Sequence, residues 1–227
     1  MSEWRKVELH THTWASPDSR LSIETIIRVN QERGIDALAV TDHNTMDGAF
    51  ELAARAPFTV ILGEEIKSTE GDIIGLFLSE PIPRDMSPIE TVAAIKAQGG
   101  LVLVPHPFDR LRRSALGQDA TNSIVSNVDI LEVFNGRTLR HGDNDAADAF
   151  ARSHGCIRSV GSDSHLAVEI GRCWQLVRPW DGPEDFLEAL RQAELHTELA
   201  PAWVHLGSSI HASLAKADQR IRRLGKR

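Results

Sequence analysis

The chain has 227 residues and a formal net charge of -7, from 25 Lys and Arg against 32 Asp and Glu. That length fits one domain with a small appendage at most, large enough to bury its own core without disulfide staples. The acidic balance excludes a generally basic nucleic-acid surface, and the two isolated cysteines, Cys156 and Cys173, exclude a disulfide framework or a paired zinc knuckle. With no leader-like apolar segment at the N-terminus and no long apolar run, the expectation is a cytoplasmic protein that does not span a membrane.

The first apolar run, Lys6 to Leu9, is β-prone and stops at His10. Ser22 can cap a helix through Arg33, with Ile23, Ile26, Ile27 and Asn30 on one face and Gly34 as its stop. Ile35 to Val40 reads as a buried strand ending at Thr41-Asp42-His43, and Thr45 to Arg55 as a helix. Phe58 to Leu62 is strand-like and leads into Gly63-Glu64-Glu65; Ile73 to Leu78 is the next strand. Ser87-Pro88-Ile89-Glu90 combines an N-cap, Pro at the first helical position and a capping-box Glu, predicting a helix to Gln98.

Leu101 to Val104 is a fully apolar strand closed by Pro105-His106-Pro107, and Val128 to Phe134 is another. A helix over Asn144 to Ser153 follows, then a strand over Ile157 to Val160 that runs into Gly161-Ser162-Asp163-Ser164-His165. Cys173 to Val177 reads as a further strand, and Glu184 to Gln192 as a helix begun by Pro183. Strands alternating with helices, the strands nearly all apolar, predict a parallel sheet covered by helices. About seven such units favour a closed or nearly closed barrel over residues 1–200.

Residues 201–227 differ. Ile210, Leu214, Ala217, Ile221 and Leu224 recur at spacings of four and three, and six basic residues stand between Lys216 and Arg227 against one acid, Asp218. The pattern predicts an amphipathic terminal helix, packed on the barrel with a solvated basic face, or else serving as an oligomer contact or an anchor for a nucleotide chain.

The polar residues that close these strands carry the chemistry. His10 and His12 follow the first strand, His43 the second, Glu65 the third, His106 a later one, and Asp163 with His165 another. In a parallel barrel the loops at the strand C-terminal ends gather at one mouth, so residues distant in sequence meet there. His10 and His12 are two apart, so both side chains leave the same face, and Asp163 and His165 repeat that geometry. Any one of them alone is an ordinary cap or loop residue. Five imidazoles and two carboxylates all at strand ends form a ligand set for zinc, iron or manganese. His141, His154, His196, His205 and His211 fall in or near helices and the tail and read as surface or structural.

These segments resemble the PHP family, named for polymerase and histidinol phosphatase. The matching stretches are Leu9-His10-Thr11-His12-Thr13, Val40-Thr41-Asp42-His43-Asn44, Gly63-Glu64-Glu65-Ile66, Val104-Pro105-His106-Pro107 and Gly161-Ser162-Asp163-Ser164-His165, in family order. The resemblance implies an α/β fold, a distorted (β/α)7 barrel, with two or three divalent metal ions (Mn, Fe or Zn) at its mouth. It implies His10, His12, Glu65 and Asp163 on a first ion, Glu65 bridging to a second held by His106, and His43 and His165 on a third with Asp18. Many members of the family carry His before the strand read here as Ile73 to Leu78; this chain has Asp72, which makes Asp72 a candidate ligand, since carboxylates suit manganese. It also lacks the extra domain that some nucleotide-cleaving relatives insert between middle strands.

Clustered divalent ions lower the pKa of a bound water to about 7 and neutralise developing charge on phosphate oxygens. The expected activity is therefore hydrolysis of a small phosphomonoester or nucleotide by metal-activated hydroxide. No nucleophile elbow or P-loop competes with that reading. Arg110, Asn135 and Arg137 follow strand ends and are the candidates for phosphate contact, with Arg112 and Arg113 nearby; Asp163 or His165 could protonate the leaving oxygen. Three other readings stand beside it. One is a 5'-3' exonuclease acting on DNA or RNA ends, suggested by the basic tail. Another is a non-catalytic metal-stabilised binding module, suggested by Asp72. The last is an amidohydrolase, disfavoured because no Lys is placed to form a bridging carbamate.

Overall fold

The computed structural model describes residues 4–204. Nine strands form one sheet: β1 (Arg5–Glu8), β2 (Ala37–Val40), β3 (Thr59–Lys67), β4 (Asp72–Leu76), β5 (Leu101–Val104), β6 (Ile130–Asn135), β7 (Ile157–Gly161), β8 (Trp174–Val177) and β9 (Glu194–His196). Six helices intervene: α1 (Ile23–Arg33), α2 (Asp47–Arg55), α3 (Pro88–Ala97), α4 (Gly117–Ile124), α5 (His141–His154) and α6 (Gly182–Arg191).

The helix signals in the sequence act as expected. Ser22 Oγ accepts from Thr25 N–H at the start of α1, and Gly34 ends it at φ 63°. Val29, not Ile27, joins Ile23, Ile26 and Asn30 on the buried face. The Ser87–Glu90 capping box at the start of α3 has both its bonds. The helix α4 has no counterpart in the sequence reading: its short segment, Gly117 to Ile124, is polar and has no side-chain N-cap.

The sheet curls into a nearly closed, distorted barrel in the order β7-β6-β5-β4-β3-β2-β1-β8-β9. It is not wholly parallel as the alternation predicted. β1–β2–β3 and β5–β6–β7 pair in parallel, but β4 runs antiparallel to both its neighbours and β8 antiparallel to β1. The reason is local: only the turn from Ser68 to Gly71 joins β3 to β4, too short for a crossover helix. One consequence decides the site. An antiparallel β4 starts at the mouth where the parallel strands end, so Asp72, its first residue, lies on the functional side.

β7 and β1 share no regular ladder, and side chains fill that seam. Gln175 donates from Nε2 to Val7 O at 3.0 Å and accepts from Val160 N–H. At the mouth the backbone itself closes the gap: Asp163 N–H donates to His10 O and His12 N–H to Ser164 O, each at 3.0 Å.

Apolar side chains separate into two cores. One lies between sheet and helices and includes Leu38, Val40, Val102, Leu131, Ile26, Leu52 and Ile95. The other fills the barrel interior with Val7, Ala39, Ile61, Ile74, Leu103 and Ile130, joined by Phe186, Ala189 and Leu190 of α6. Phe186 packs on Phe77, just beyond the end of β4, so α6 stops the end opposite the mouth. No helix among the described residues is long and apolar enough to cross a membrane. The predicted amphipathic helix of the tail, with its roles in assembly or nucleotide anchoring, lies outside the described residues after Val204.

Candidate metal centre

The candidate ligands gather on one mouth, most of them at or just past strand ends and Asp18 in the loop between β1 and α1. Glu65 is within β3, which is longer than predicted, and continues the inward row of Ile61 and Gly63. His106 and Asp163 stand just past β5 and β7 with left-handed φ of 29° and 53°. Non-glycine residues adopt that conformation at a cost, and such strain gathers where geometry is dictated by function.

Four atoms face one point. His10 Nε2 and His12 Nε2 are 3.2 Å apart. Glu65 Oε2 lies 3.6 Å from His10 Nε2 and 3.4 Å from His12 Nε2. Asp163 Oδ1 lies 3.6 Å and 3.2 Å from the same two nitrogens. Further groups adjoin it: His106 Nε2 is 3.1 Å from Glu65 Oε1, and His43 Nδ1 is 3.0 Å from Glu65 Oε2. Asp72 joins His43 and Glu65 with ligand atoms within 4.8 Å of one another. His12, His43 and His165 form another such group. Asp18 Oδ2 stands 3.2 Å from His165 Nε2 and 3.6 Å from His43 Nε2. All nine residues expected from the sequence as metal ligands therefore meet at one place.

The donor set fits cations. Glu65 Oε2 and Asp163 Oδ1 are buried and accept no hydrogen bond, though each faces imidazole nitrogens. Buried carboxylate oxygens without partners are costly unless a cation satisfies them. The imidazoles are also fixed by their second nitrogens. His10 Nδ1 meets Glu132 Oε1 at 2.9 Å, His12 Nδ1 meets Ser16 Oγ at 3.0 Å, and His165 Nδ1 meets Asp163 O at 2.8 Å. With Nδ1–H donating in each, the Nε2 lone pair is left for an ion.

Ionisation suits the same role in part. Against burial, Glu132 and Asp163 raise His10, and Glu65 and Asp18 raise His43, well above the ordinary imidazole value, so an ion binding there displaces their protons. Burial pushes the His12 imidazole down to about 3, with the charges of His165 and His43 adding to it, so it stays neutral. Burial alone would raise Asp163 and Glu65, but for Asp163 the Arg112 guanidinium and His10, and for Glu65 His43 and His10, outweigh it and hold both well below the ordinary range. Burial, then the nearby Glu65 charge, raises Asp72 to about 6.

The phosphate candidates come out differently. Arg110 turns outward, its Nε 2.7 Å from Asp143 Oδ1, with its side chain 62% exposed. It does not reach the centre. Arg112 does: its Nη1 is 2.6 Å from Asp163 Oδ2. Arg137 Nη1 donates to the Asp163 carbonyl at 3.4 Å, and its Nε lies 3.5 Å from Glu169 Oε1. Asn135 Nδ2 donates to Glu132 Oε2 at 2.9 Å and Asp163 Oδ2 at 3.3 Å, so it orients carboxylates of the centre.

Sequence reasoning missed Glu132. A lone charged residue inside the apolar strand Ile130–Asn135 was the available signal, because such a residue is buried only when paired. Its Oε2 also accepts from His106 N–H at 2.7 Å, so one carboxylate aligns two candidate ligands. Asp42 was missed too: it accepts from Thr13 N–H, Thr13 Oγ and Ser16 Oγ at 2.6–2.7 Å and so holds the loop that carries His12. Two glycines make room. A Cβ on Gly161 would sit 2.0 Å from Glu132 Oε1, and one on Gly48 would sit 2.0 Å from Thr13 Oγ1.

The sequence pattern of the PHP domain matches residues 8–126, and that of the PHP-associated segment residues 141–195. The chain belongs to the PHP family. The first match holds His10, His12, Asp18, His43, Glu65, Asp72 and His106, and the second holds Asp163 and His165. Among relatives of known sequence, one uncharacterized protein of Methanocaldococcus jannaschii is 41% identical over 143 residues, covering 57% of this chain and 81% of its own. Another from the same organism is 31% identical over 196 residues, covering 82% and 79%. The fold is similar to that of PsfC from Pseudomonas syringae, with a TM-score of 0.69 at 18% identity over 92% of this chain and 98% of that one. It is also similar to a two-domain protein of Bacteroides vulgatus containing a predicted PHP-like metal-dependent phosphoesterase, with a TM-score of 0.68 at 18% identity over 86% and 65%.

Proposed function

We propose that this PHP protein hydrolyses small phosphomonoesters or nucleotides with two or three divalent cations, manganese, iron or zinc. The observation that carries the reading is the convergence of His10 Nε2, His12 Nε2, Glu65 Oε2 and Asp163 Oδ1, with both carboxylate oxygens buried and unpartnered.

A first ion would be held by His10, His12, Glu65 and Asp163, a second by Glu65, His106 and Asp72, and a third by His43, His165 and Asp18. Bound there, such ions supply an activated water at neutral pH and Lewis acidity toward phosphate oxygens. The chain supplies the rest. Glu132 and Ser16 keep His10 and His12 in one tautomer and orientation. Arg112 brings a fixed guanidinium to the rim of the centre, suited to a phosphate oxygen. Arg137 stands on the same side. Asp163 is too strongly held as a carboxylate to give up a proton. In a centre of two ions, where no third ion takes its Nε2, His165 is the remaining donor to the leaving oxygen, that nitrogen facing the part-exposed Asp18.

The decisive measurement is metal analysis of purified protein joined to a phosphate-release screen over nucleotides and aryl and alkyl phosphates. Release that needs Mn, Fe or Zn and is lost in His12→Ala supports the reading. Metal-loaded protein inert across the panel rejects it.

A second reading is removal of nucleotides from the 5' ends of DNA or RNA, favoured by the basic run from Lys216 to Arg227. A purely binding role had rested on Asp72 as a departure. The meeting of Asp72 with His43 and Glu65 weakens that ground.

A further inference from the structure

A small cavity of ≈ 200 Å³ opens beside the metal centre, lined by Asp109, Leu111, Arg112, Arg137 and Leu139. Resting on the phosphoesterase reading, we propose that it holds the organic part of the ester. We further propose that this part is apolar, an aryl or similarly flat hydrophobic alcohol and not a polyol.

The cavity has two kinds of wall. Its guanidinium side is tied to the centre: Arg112 to Asp163 Oδ2 at 2.6 Å and Arg137 to the Asp163 carbonyl at 3.4 Å. Its outer side is Leu111 and Leu139, 58% and 55% exposed. These leucines come from different loops, after β5 and after β6, and neither belongs to a core cluster. One exposed leucine needs no explanation. Two that line one cavity beside a pair of arginines make a site complementary to an anionic head on an apolar body.

Size and polarity select further. An apolar cavity of about 150 Å³ admits benzene, so this one has room for a single ring. A polyol would lose hydration against the leucines and find few acceptors for its several hydroxyls. Asp109 is the one acid in the lining: Oδ1 accepts from Leu111 N–H at 3.0 Å, and Oδ2 is held in an ion pair with Arg112 Nε at 3.7 Å. A ring against two leucines gains affinity in proportion to the area taken from water, and loses it when hydroxyls replace them.

The test uses full-length, Mn-loaded protein and the double variant Leu111→Ser/Leu139→Ser. Both side chains are exposed, so the variant should fold as the parent does, checked by its melting curve. Calorimetry compares phenylphosphonate with methylphosphonate, and turnover compares phenyl phosphate with glycerol phosphate. The parent should favour the phenyl ligands by roughly tenfold in Kd and in kcat/KM. The variant should lose most of that preference while methylphosphonate and glycerol phosphate keep their parental values. No phenyl preference in the parent, no binding of either phosphonate, or equal losses on both ligand types would overturn the pocket. A parent that shows the binding preference yet releases phosphate from no ester would leave the pocket standing and sink the phosphoesterase reading instead.

Discussion

His10 Nδ1 and Glu132 Oε1 lie 2.9 Å apart, both side chains fully or almost fully buried, joining the segment just past β1 to β6. Glu132 touches none of the atoms on which the ligands converge, yet it fixes which nitrogen of His10 faces them. Glu132→Gln should keep the fold and weaken binding of the buried ions by about 10- to 100-fold, the usual effect of losing such a carboxylate–histidine partner. Competition with a chelator, read by metal content, checks this. Parental affinity in the variant would show that Glu132 is not needed to orient His10.

Gly161 is the backbone that lets this pair meet. A Cβ there would stand 2.0 Å from Glu132 Oε1 and 2.7 Å from His10 Cβ. Gly161→Ala should cost roughly 1–3 kcal/mol in denaturant unfolding and weaken metal binding with it. Gly142, in the first turn of α5, is the control: a Cβ there meets nothing within 4 Å and its φ is not left-handed, so Gly142→Ala should leave stability and metal binding near the parent's.

Arg112 and Arg110 separate two readings of the phosphate site. Arg112 lies against Asp163, whereas Arg110 is paired outward with Asp143. Arg112→Ala should lower kcat/KM on a phosphomonoester by about 10²-fold, the scale for removing one fixed donor at a charged transition state. Arg110→Ala should change it less than threefold, on the order expected of an exposed ion pair. The reverse order would place the phosphate elsewhere.

Glu8 gives a pH dependence of stability. Burial raises its carboxyl to about 8, with Gly171 N–H donating to Oε2 and the Ser162 hydroxyl to Oε1. Its unfolded pKa is near 4.5. Between those values the unfolded chain has released the proton and the folded one has kept it. Stability from this group therefore falls as pH rises from about 4.5 to 8 and is level outside that window. Glu8→Gln imitates the protonated form and should flatten the slope. Urea unfolding of chelator-treated protein at pH 5 and pH 8 should show the parent losing more than the variant, by on the order of a few kcal/mol at most. Equal slopes would mean that Glu8 titrates normally when folded.

The basic tail is tested by truncation. Removing residues 208–227 should impair release of nucleotides from an oligonucleotide more than hydrolysis of a small ester, with the effect fading as salt rises. Equal effects would detach the tail from substrate binding.

Sequence alone determined the order of elements apart from α4 and β9, the caps of α1 and α3, and the residue types at each strand end. These are local properties: a Ser–Pro–Ile–Glu start or a histidine after an apolar strand acts through its neighbours in the chain. It also listed Asp72 as a candidate without a means to place it. Tertiary structure decided the rest. The antiparallel run of β4 brings Asp72 to the mouth, the turn of Arg112 inward and Arg110 outward reorders the phosphate candidates, and Glu132 becomes the support of two candidate ligands. Those facts depend on strand direction and on contacts between residues far apart in the chain, which pattern within a segment cannot encode.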